Sequence, residues 1–366
     1  MPRPGQSRRV EHDELTERIA MGLILRTFPP ELVDLAVSSC GRAERRSRLL
    51  PARTTVYFIL VMCLFPHQGY ARVAELLNEG LTRARLVHGP RPVPTTAAIS
   101  RARIRLGAEP LAALFKEAVR ASPTPPMSVN HYRNWKVMTA GLTTVALPDS
   151  PDNRTHYGLP AAYPALGDPP CADSDNGVLP RIHVVALAEH DTRTIRHAVL
   201  ERPPTRTAGT LARELCAPLK SGDLLLAGEG FLDPATFAVT RANGADLLWR
   251  IHCTSVSHDI AHLRDGSRLC TLHDHPRKVR VIEPAPPSQG ESMMPTLLAT
   301  TVLDHEAAPA AELASLSQHR WCLRGSLATL GPGTPQVLRS RWPDGVEQEI
   351  WGHLLVHHAI HRLLYV

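Results

Sequence analysis

The chain has 366 residues, of which 43% are hydrophobic, so it can bury a substantial core and most economically forms two domains. Its formal net charge is +6, and residues 1–125 hold 19 Lys and Arg against 11 Asp and Glu. That asymmetry is compatible both with a polyanionic partner and with a merely solvated arginine-rich surface, whereas the seven scattered cysteines without a CxxC pair argue against a disulfide framework and predict a cytoplasmic protein.

Neither the N-terminus nor the most apolar segment predicts a membrane protein. Residues 1–20 contain four acidic residues and no apolar run, so they do not form a signal peptide. The longest apolar run, from Val56 to Phe65, is well short of the roughly 20 residues that span a bilayer. It predicts a buried core helix, and we expect no membrane partner.

The periodicity of the chain changes near residue 125. Apolar residues at spacings of three and four predict an all-α domain over residues 1–125, followed by a Pro- and Ser-rich linker. Strand patterns alternating with helices then predict a mixed sheet flanked by helices over residues 131–366. Within it, residues from about 254 to 312 are predicted to form a β-rich insertion, and the end of the chain returns to helix.

The stretch "KVMTAGLTTVALPD" begins the second predicted domain. Its pattern predicts a strand that rises to Gly141, turns, and returns through Thr143, Thr144 and Val145. A nuclease-like fold would carry a carboxylate at the tip of such a strand, and none is present there.

Three blocks of sequence carry a specific resemblance. They are "LPARTTVYFILVMCLF…GYARVAELL…PTTAAISRARIRLG", then "WKVMTAGLTTVALPDSPDN" with "DLLLAGEGFLDPATFAVTRANGADLLWRI", and finally "LDHEAAPAAELASLSQHRW…VLRSRWPDGVEQEIWGHLL". The first resembles the N-terminal domain, and the other two the catalytic domain, of bacterial transposases of the insertion-sequence-four family. The motifs follow one another in the family's order over nearly the whole chain.

The resemblance implies a fold and a chemistry. It implies an α+β or α/β chain in which the all-α N-terminal domain binds DNA and is followed by an RNase H-like mixed-sheet domain. In the family, that domain holds an Asp-Asp-Glu triad, with the β-rich insertion between the second Asp and the Glu. The three carboxylates converge to bind two Mg²⁺ ions, which cleave and join DNA strands.

Each acid of the family triad is replaced at the matching position of this chain. The first Asp corresponds to Gly141, in the motif that reads Gly-Leu-Thr-Thr here, and the second corresponds to Gly228. In the family's helical signature Ser317 replaces the Tyr, Arg320 is kept, Arg324 replaces the Glu and Gly331 replaces the Lys. Because neutral and cationic side chains do not hold divalent metal, we expect no bound cofactor where the family has Mg²⁺.

Two carboxylates are candidates to substitute for the missing acids. Glu229 is adjacent to Gly228, but successive residues of a strand point to opposite faces unless a bulge intervenes. Asp149 follows the return strand, near an acid that the family pattern already has. Two-metal sites require precise geometry, which disfavours rescue by either residue.

A short basic helix over "TTAAISRARIRLG" is the main candidate for DNA contact. Its residues Arg101, Arg103 and Arg105 would meet phosphates or bases in a helix-turn-helix-like element, or else form a solvated helix face. The resemblance favours DNA, and it also makes Arg320 and Trp321 candidates for contact with an end nucleotide. Histidines His353, His357 and His361, at spacings of four in the final helix, are interpreted as ordinary helix residues and not as a metal site.

The sequence therefore predicts a transposase-family protein that binds the DNA ends of an insertion element without cleaving them. One alternative is an active enzyme that uses substitute carboxylates. Another is a subunit that joins an intact transposase and inhibits it, so that the partners would be DNA and a homo- or hetero-oligomeric transposase.

Overall fold

The computed structural model describes residues 17–44, 48–87, 92–122, 131–158, 179–201, 208–228, 234–273, 275–284, 296–318 and 338–364. The chain divides into two compact units. The first unit is helical and comprises Met1–Thr124, Leu147–Asn153 and Gly325–Val366. The second unit comprises Pro125–Ala146 and Arg154–Arg324 and contains the sheet.

The first unit is built from amphipathic helices around one apolar helix. Proline opens α2 and lies at the start of α6, positions where a missing N–H costs nothing, and the Thr95 hydroxyl caps α5 by accepting the N–H of Ala98 at 3.2 Å. The helices are α1 (17–27), α2 (Pro30–Ser39), α3 (Ala52–Leu64), α4 (Tyr70–Arg83), α5 (Thr96–Leu106), α6 (Glu109–Arg120) and α11 (Pro343–Leu364).

Helix α3 forms the centre of this unit. Its residues from Thr55 to Cys63 are all buried, which confirms the core helix predicted from the apolar run. It packs on α2, α4, α5 and α11, and a Cβ placed on Gly352 of α11 would lie 2.6 Å from Cys63 Sγ. Glycine at this position therefore permits the close approach of α11 to α3.

The place of α11 differs from the predicted domain boundaries. The sequence assigned residues 131–366 to one domain, but α11 packs on α3, α5 and α6 and so belongs to the helical unit. A helical pattern in the sequence shows that a helix has an apolar face, but it does not show which other helix packs against that face. The loop Leu147–Asn153 also belongs to this unit, where the buried Asn153 amide donates to the carbonyls of Pro148 at 3.0 Å and Ser340 at 3.2 Å.

The second unit contains a 10-stranded mixed sheet and helices on both of its faces. Its elements are β1 (His131–Tyr132), β2 (Trp135–Ala146), α7 (Pro151–Tyr157, shared with the first unit), β3 (Arg181–Glu189), β4 (Ile195–Glu201), α8 (Ala208–Cys216), β5 (Asp223–Ala227), α9 (Pro234–Ala242), β6 (Asp246–His252), β7 (Val256–His262), β8 (Arg268–Leu272), β9 (His275–Ile282), β10 (Thr296–Thr300) and α10 (Ala310–Gln318).

The strand order is β4-β3-β2-β5-β6-β10-β9-β8-β7, with β1 paired to β2. The strands β2, β3 and β4 are mutually antiparallel, whereas β5 is parallel to both β2 and β6. Parallel neighbours need a crossover, and the helices α8 and α9 lie in the two connections. The predicted architecture, a helical region followed by a mixed sheet with parallel pairs, is confirmed.

The two faces of the sheet are buried under different helices. Alternate residues of β2 and β5 point to opposite faces, so Met138 and Leu225 pack in the cluster that contains Leu215 of α8 and Phe237 of α9. Val137 and Leu224 pack on the other face in the cluster that contains Leu313 of α10.

The predicted β-rich insertion continues the same sheet. Strand β10 pairs antiparallel with both β6 and β9, and β8 and β7 extend the sheet to its edge. The fully buried Arg280 of β9 binds Asp265, which also accepts the N–H of Ala310 at 2.9 Å, and Arg280 donates to the carbonyl of Ala308 at 2.7 Å. These bonds fix the insertion to the start of α10.

None of the described helices combines the length and the apolar character needed to cross a bilayer. The predicted linker before residue 131 falls largely outside the described residues.

The contact of α11 with α3 predicts a specific cost of adding one methyl group. Gly352→Ala is expected to destabilise the protein by about 1–3 kcal/mol, because the new Cβ overlaps Cys63 and lies 3.2 Å from Ile59 Cγ2. Gly22→Ala on α1 is the matched control, since nothing lies within 4 Å of that position, and it is expected to stabilise by about 0.5–1 kcal/mol. Urea denaturation measures both, and equal effects of the two substitutions would contradict this view of the contact.

Helix α11 also buries histidines. His357 is 2% exposed and neither ring nitrogen has a hydrogen-bond partner among the described residues, while its ring stacks on that of His361 with centroids 4.1 Å apart. Burial, followed by the nearby His361 and His358, lowers the pKa of His357 to about 3. The imidazole is therefore neutral in the folded protein at ordinary pH.

Acid is expected to destabilise the protein through His357. The unfolded chain takes up a proton below about pH 6.5, whereas the folded chain does not, so stability that is complete above pH 6.5 is lost as the pH falls toward 3. The loss from this group at pH 5 is about 2 kcal/mol. Urea unfolding at pH 7.5 and pH 5.0 measures it: His357→Leu should reduce the pH effect, and the exposed-site control His67→Gln should not. An unchanged pH effect in His357→Leu would exclude His357 as its source.

Candidate functional site

Gly141 lies inside a continuous strand. The turn predicted at this glycine is wrong, because β2 runs unbroken from Trp135 to Ala146 and pairs with β3 from Met138 through Ala146. The residues after Gly141 include the β-branched Thr143, Thr144 and Val145, which favour continuation of a strand, and no Pro or Asn-Gly pair supplies a turn.

The parallel pairing of β2 with β5 leads toward Gly141 and Gly228, the residues that the resemblance matches to the first two acids of the family triad. The observed register pairs Lys136 with Asp223 and Thr139 with Leu226. The observed pairs end there and Gly228 follows the last residue of β5, so continuing the same register by two residues would set Gly141 beside Gly228. Neighbouring strands are about 4.8 Å apart, so side chains at these two positions would share one small volume.

Both glycines also belong to the face of the sheet that α10 covers. Gly141 lies four residues from Val137, and Gly228 lies two residues from Leu226, and both of these apolar residues pack in the cluster with Leu313 of α10. Position Arg324 follows α10 in the chain and lies outside the described residues, as do Glu229, Arg320 and Trp321.

The described neighbours of Gly141 on β2 and β3 are small or neutral. On the same face of β2, Thr139 and Thr143 are buried, and the Thr139 hydroxyl is 3.1 Å from Nδ1 of His190. Across β3, Gly141 pairs with Ala186. Among the described residues no group of three His, Cys, Asp or Glu side chains is placed to hold a metal ion.

Asp149 occupies a different setting from the glycines. The strand β2 carries the chain about 17 Å past Gly141 before it ends at Ala146, and Asp149 then lies exposed in the loop that belongs to the helical unit. Its role as a substitute carboxylate remains a prediction.

Buried charges of the sheet unit gather at the opposite end of β2, where the sequence analysis placed no site. The fully buried Glu189 accepts from Lys136 at 2.7 Å, from Arg196 at 2.8 Å and from Thr192 at 2.9 Å. Burial would raise the pKa of Glu189, but Lys136 and Arg196 outweigh it and hold that pKa below its usual value. The signal in the sequence was a lone lysine and a lone glutamate in apolar strands.

The three arginines of α5 do not share a surface. Residues four apart lie on one side of a helix and a residue between them lies on the other. Arg101 is exposed, Arg103 is fully buried, and the half-buried Arg105 donates to Glu44 at 2.5 Å and to the carbonyl of Leu50 at 2.9 Å. The prediction that Arg103 contacts DNA is therefore wrong, because its guanidinium is buried and hydrogen-bonded inside the protein.

Many other cations of the helical unit are neutralised within it. Arg53 pairs with Asp34, Arg42 pairs with Glu109 at 3.4 Å, and other such pairs are Arg72–Glu17, Arg83–Glu79 and Arg120–Glu117. Among the described residues Arg101 has no carboxylate partner, and it lies beside Ile104, whose exposed fraction is 58%. These pairs leave the net charge of residues 1–125 unchanged, but they reduce the number of arginines without a carboxylate partner at the described surface.

Three comparisons show which known proteins the chain is similar to. Residues 18–116 match the family model described as the insertion element 4 transposase N-terminal region. The chain is 24% identical over 364 residues to transposase InsG for insertion sequence element IS4 of Escherichia coli strain K12, which covers 90% of this chain and 74% of the relative. It also aligns to a piggyBac transposase in a cryo-EM synaptic complex with hairpin DNA, with 9% identity, a TM-score of 0.43, and 93% and 74% of the two chains covered.

The two sequence matches show that the chain is similar to IS4-type transposases, in agreement with the resemblance. The assignments of Gly141, Gly228 and Arg324 to the triad positions remain predictions.

Proposed function

We propose, on the premise of this IS4 relationship, that the chain is a transposase-type DNA-binding protein that does not cleave DNA. The observation that supports the proposal is the register of β2 and β5, because its continuation would bring together Gly141 and Gly228, the two glycines that the resemblance matches to two aspartates. The strand pairing is compatible with the arrangement that the resemblance implies. The residues differ from the family's aspartates because glycine has no carboxylate.

The residues present do not fit the two Mg²⁺ ions of the family. Such ions need converging carboxylates, and Gly141 and Gly228 offer no side-chain oxygen. Their buried neighbours Thr139 and Thr143 are neutral, and an arginine at position 324 would add a cation. No step of strand cleavage is therefore assigned to this chain.

The exposed face of α5 is the proposed DNA contact. Ala97, Arg101 and Ile104 are exposed, Ser100 is half-buried beside them, and Ile99 and Leu106 pack inward. Small side chains allow close approach to a groove, and an arginine without a carboxylate partner can meet a phosphate or a base edge. Arg105 contributes to this face only if Glu44 releases it.

The absence of cleavage is tested by titrating Mg²⁺ or Mn²⁺ into the protein with a labelled duplex that carries candidate element ends. We expect the duplex to be retained and not nicked at any metal concentration, because the proposed triad positions have no carboxylates. The control is the variant Gly141→Asp, Gly228→Asp, Arg324→Glu, which restores the family acids and should gain Mn²⁺ affinity. Metal-dependent nicking by the unaltered protein would show that other carboxylates serve, and failure to retain any duplex would reject DNA binding.

The α5 contact is tested by the salt dependence of duplex affinity. Arg101→Ala is expected to reduce the slope of log K against log salt by about 0.9, the value for one lost phosphate contact. Arg53→Ala removes the same charge from an exposed arginine that is already bound to Asp34, so it should leave the slope unchanged. Equal slopes in all three proteins would place the DNA contact elsewhere.

A further inference from the structure

We infer that α11 orients α5, and that Gln348 and Glu349 of α11 are positioning residues for the DNA-facing side chains. The inference rests on the proposed contact of α5 with DNA. It assigns to the C-terminal helix a part in binding that the predicted domain boundaries gave to residues 1–125 alone.

The guanidinium of Arg103 connects the buried face of α5 to α4 and α11. Arg103 is 0% exposed, and its Nε donates to Gln348 Oε1 at 3.1 Å. Its Nη1 donates to the Tyr70 hydroxyl at 2.7 Å, and its Nη2 donates to Ser340 Oγ at 2.8 Å and to the Gly345 carbonyl at 3.2 Å. The planar fork has fixed directions, so partners on α4 and α11 together define the rotation of α5 about its axis.

Gln348 bonds both to the side chain of Arg103 and to backbone carbonyls at the end of α5. Its Oε1 accepts from Arg103, while its Nε2 donates to the backbone carbonyls of Arg103 at 2.7 Å and Gly107 at 2.8 Å. Those carbonyls lie at the C-terminal end of α5, where the cap residue Gly107 also donates its N–H to the Arg103 carbonyl at 3.2 Å. The fully buried Gln348 therefore fixes the end of α5 as well as its buried face.

Glu349 supplies the opposite charge. One carboxylate oxygen lies 3.3 Å from Arg103 Nη2 and also accepts from Ser340, and the other accepts the backbone N–H of Arg339 at 2.7 Å. The guanidinium also lies over the Trp342 ring at 4.9 Å from its centroid. A buried charge with every direction occupied has one low-energy arrangement, because any other leaves a buried donor without a partner.

The arrangement determines where Arg101 points. Arg101 and Arg103 lie on opposite sides of α5, so a rotation of the helix moves the exposed side chains by the same angle. With side chains about 6 Å from the helix axis, a rotation of roughly 20° displaces them by about 2 Å. That displacement is large compared with the tolerance of a hydrogen bond to a base edge.

The test is Gln348→Met in the full chain, measured with a labelled duplex that carries candidate element ends and with a scrambled duplex of equal length. Methionine keeps the length and apolar stem of the side chain and removes all three of its bonds to α5. We expect affinity for the element-end duplex to fall about tenfold and its preference over the scrambled duplex to shrink, with the salt slope unchanged because no phosphate contact is removed. Asp344→Asn, an exposed change in the first turn of the same helix, is the control and should alter none of these.

Each outcome decides between the two proposals. If Gln348→Met lowers the melting temperature but leaves affinity and preference unchanged at 25 °C, then Gln348 is only a structural residue and the inference is wrong. If Arg101→Ala also has no effect on the salt slope, the α5 contact itself fails. Should Gln348→Met not fold, Ser340→Ala removes one Arg103 acceptor with little loss of volume, and a preference unchanged by it would overturn the inference equally.

Discussion

The parallel pairing of β2 with β5 is the constraint on which the sheet unit depends. Continued two residues beyond the last observed pair, this register would set Gly141, inside β2, beside Gly228, just after the end of β5, and both positions would belong to the face that α10 covers. Two aspartates about 5 Å apart in that setting would repel each other unless a cation lay between them. Two glycines remove the repulsion and the ligands together, so the fold keeps its geometry without needing a metal ion.

Much of the fold followed from the sequence because local pattern and global structure agree. The apolar run of α3 and the alternating strands of the second unit are each sufficient signals on their own. Glycine often marks a turn, which is why the sequence predicts one at Gly141. In the structure, the cross-strand pairing with β3 outweighs this weak preference of glycine for turns. The sequence did not predict that α11 packs in the helical unit, because helices separated by more than 200 residues leave no local pattern that identifies them as packing partners.

The candidate interface shows the same limit at the scale of one helix. Composition indicated a basic helix, and helical geometry alone could have separated Arg103 from Arg101 and Arg105. What the sequence does not contain is the pairing of Arg105 with Glu44, or the convergence of Tyr70, Ser340 and Gln348 on one guanidinium. A count of arginines therefore overstates the number of cations that are open to a polyanion, because each internal ion pair engages one of them.

The return of the chain to its first unit has a consequence for biosynthesis. The surface of α3 that packs on α11 has no cover until the ribosome has made the whole sheet unit, which lies between α6 and α11 in the chain. At about 5–20 residues per second, that interval is roughly 10–45 s. During it the nascent helices expose the apolar side of α3, so the growing chain offers a binding site to chaperones, and the helical unit closes only after the sheet has emerged.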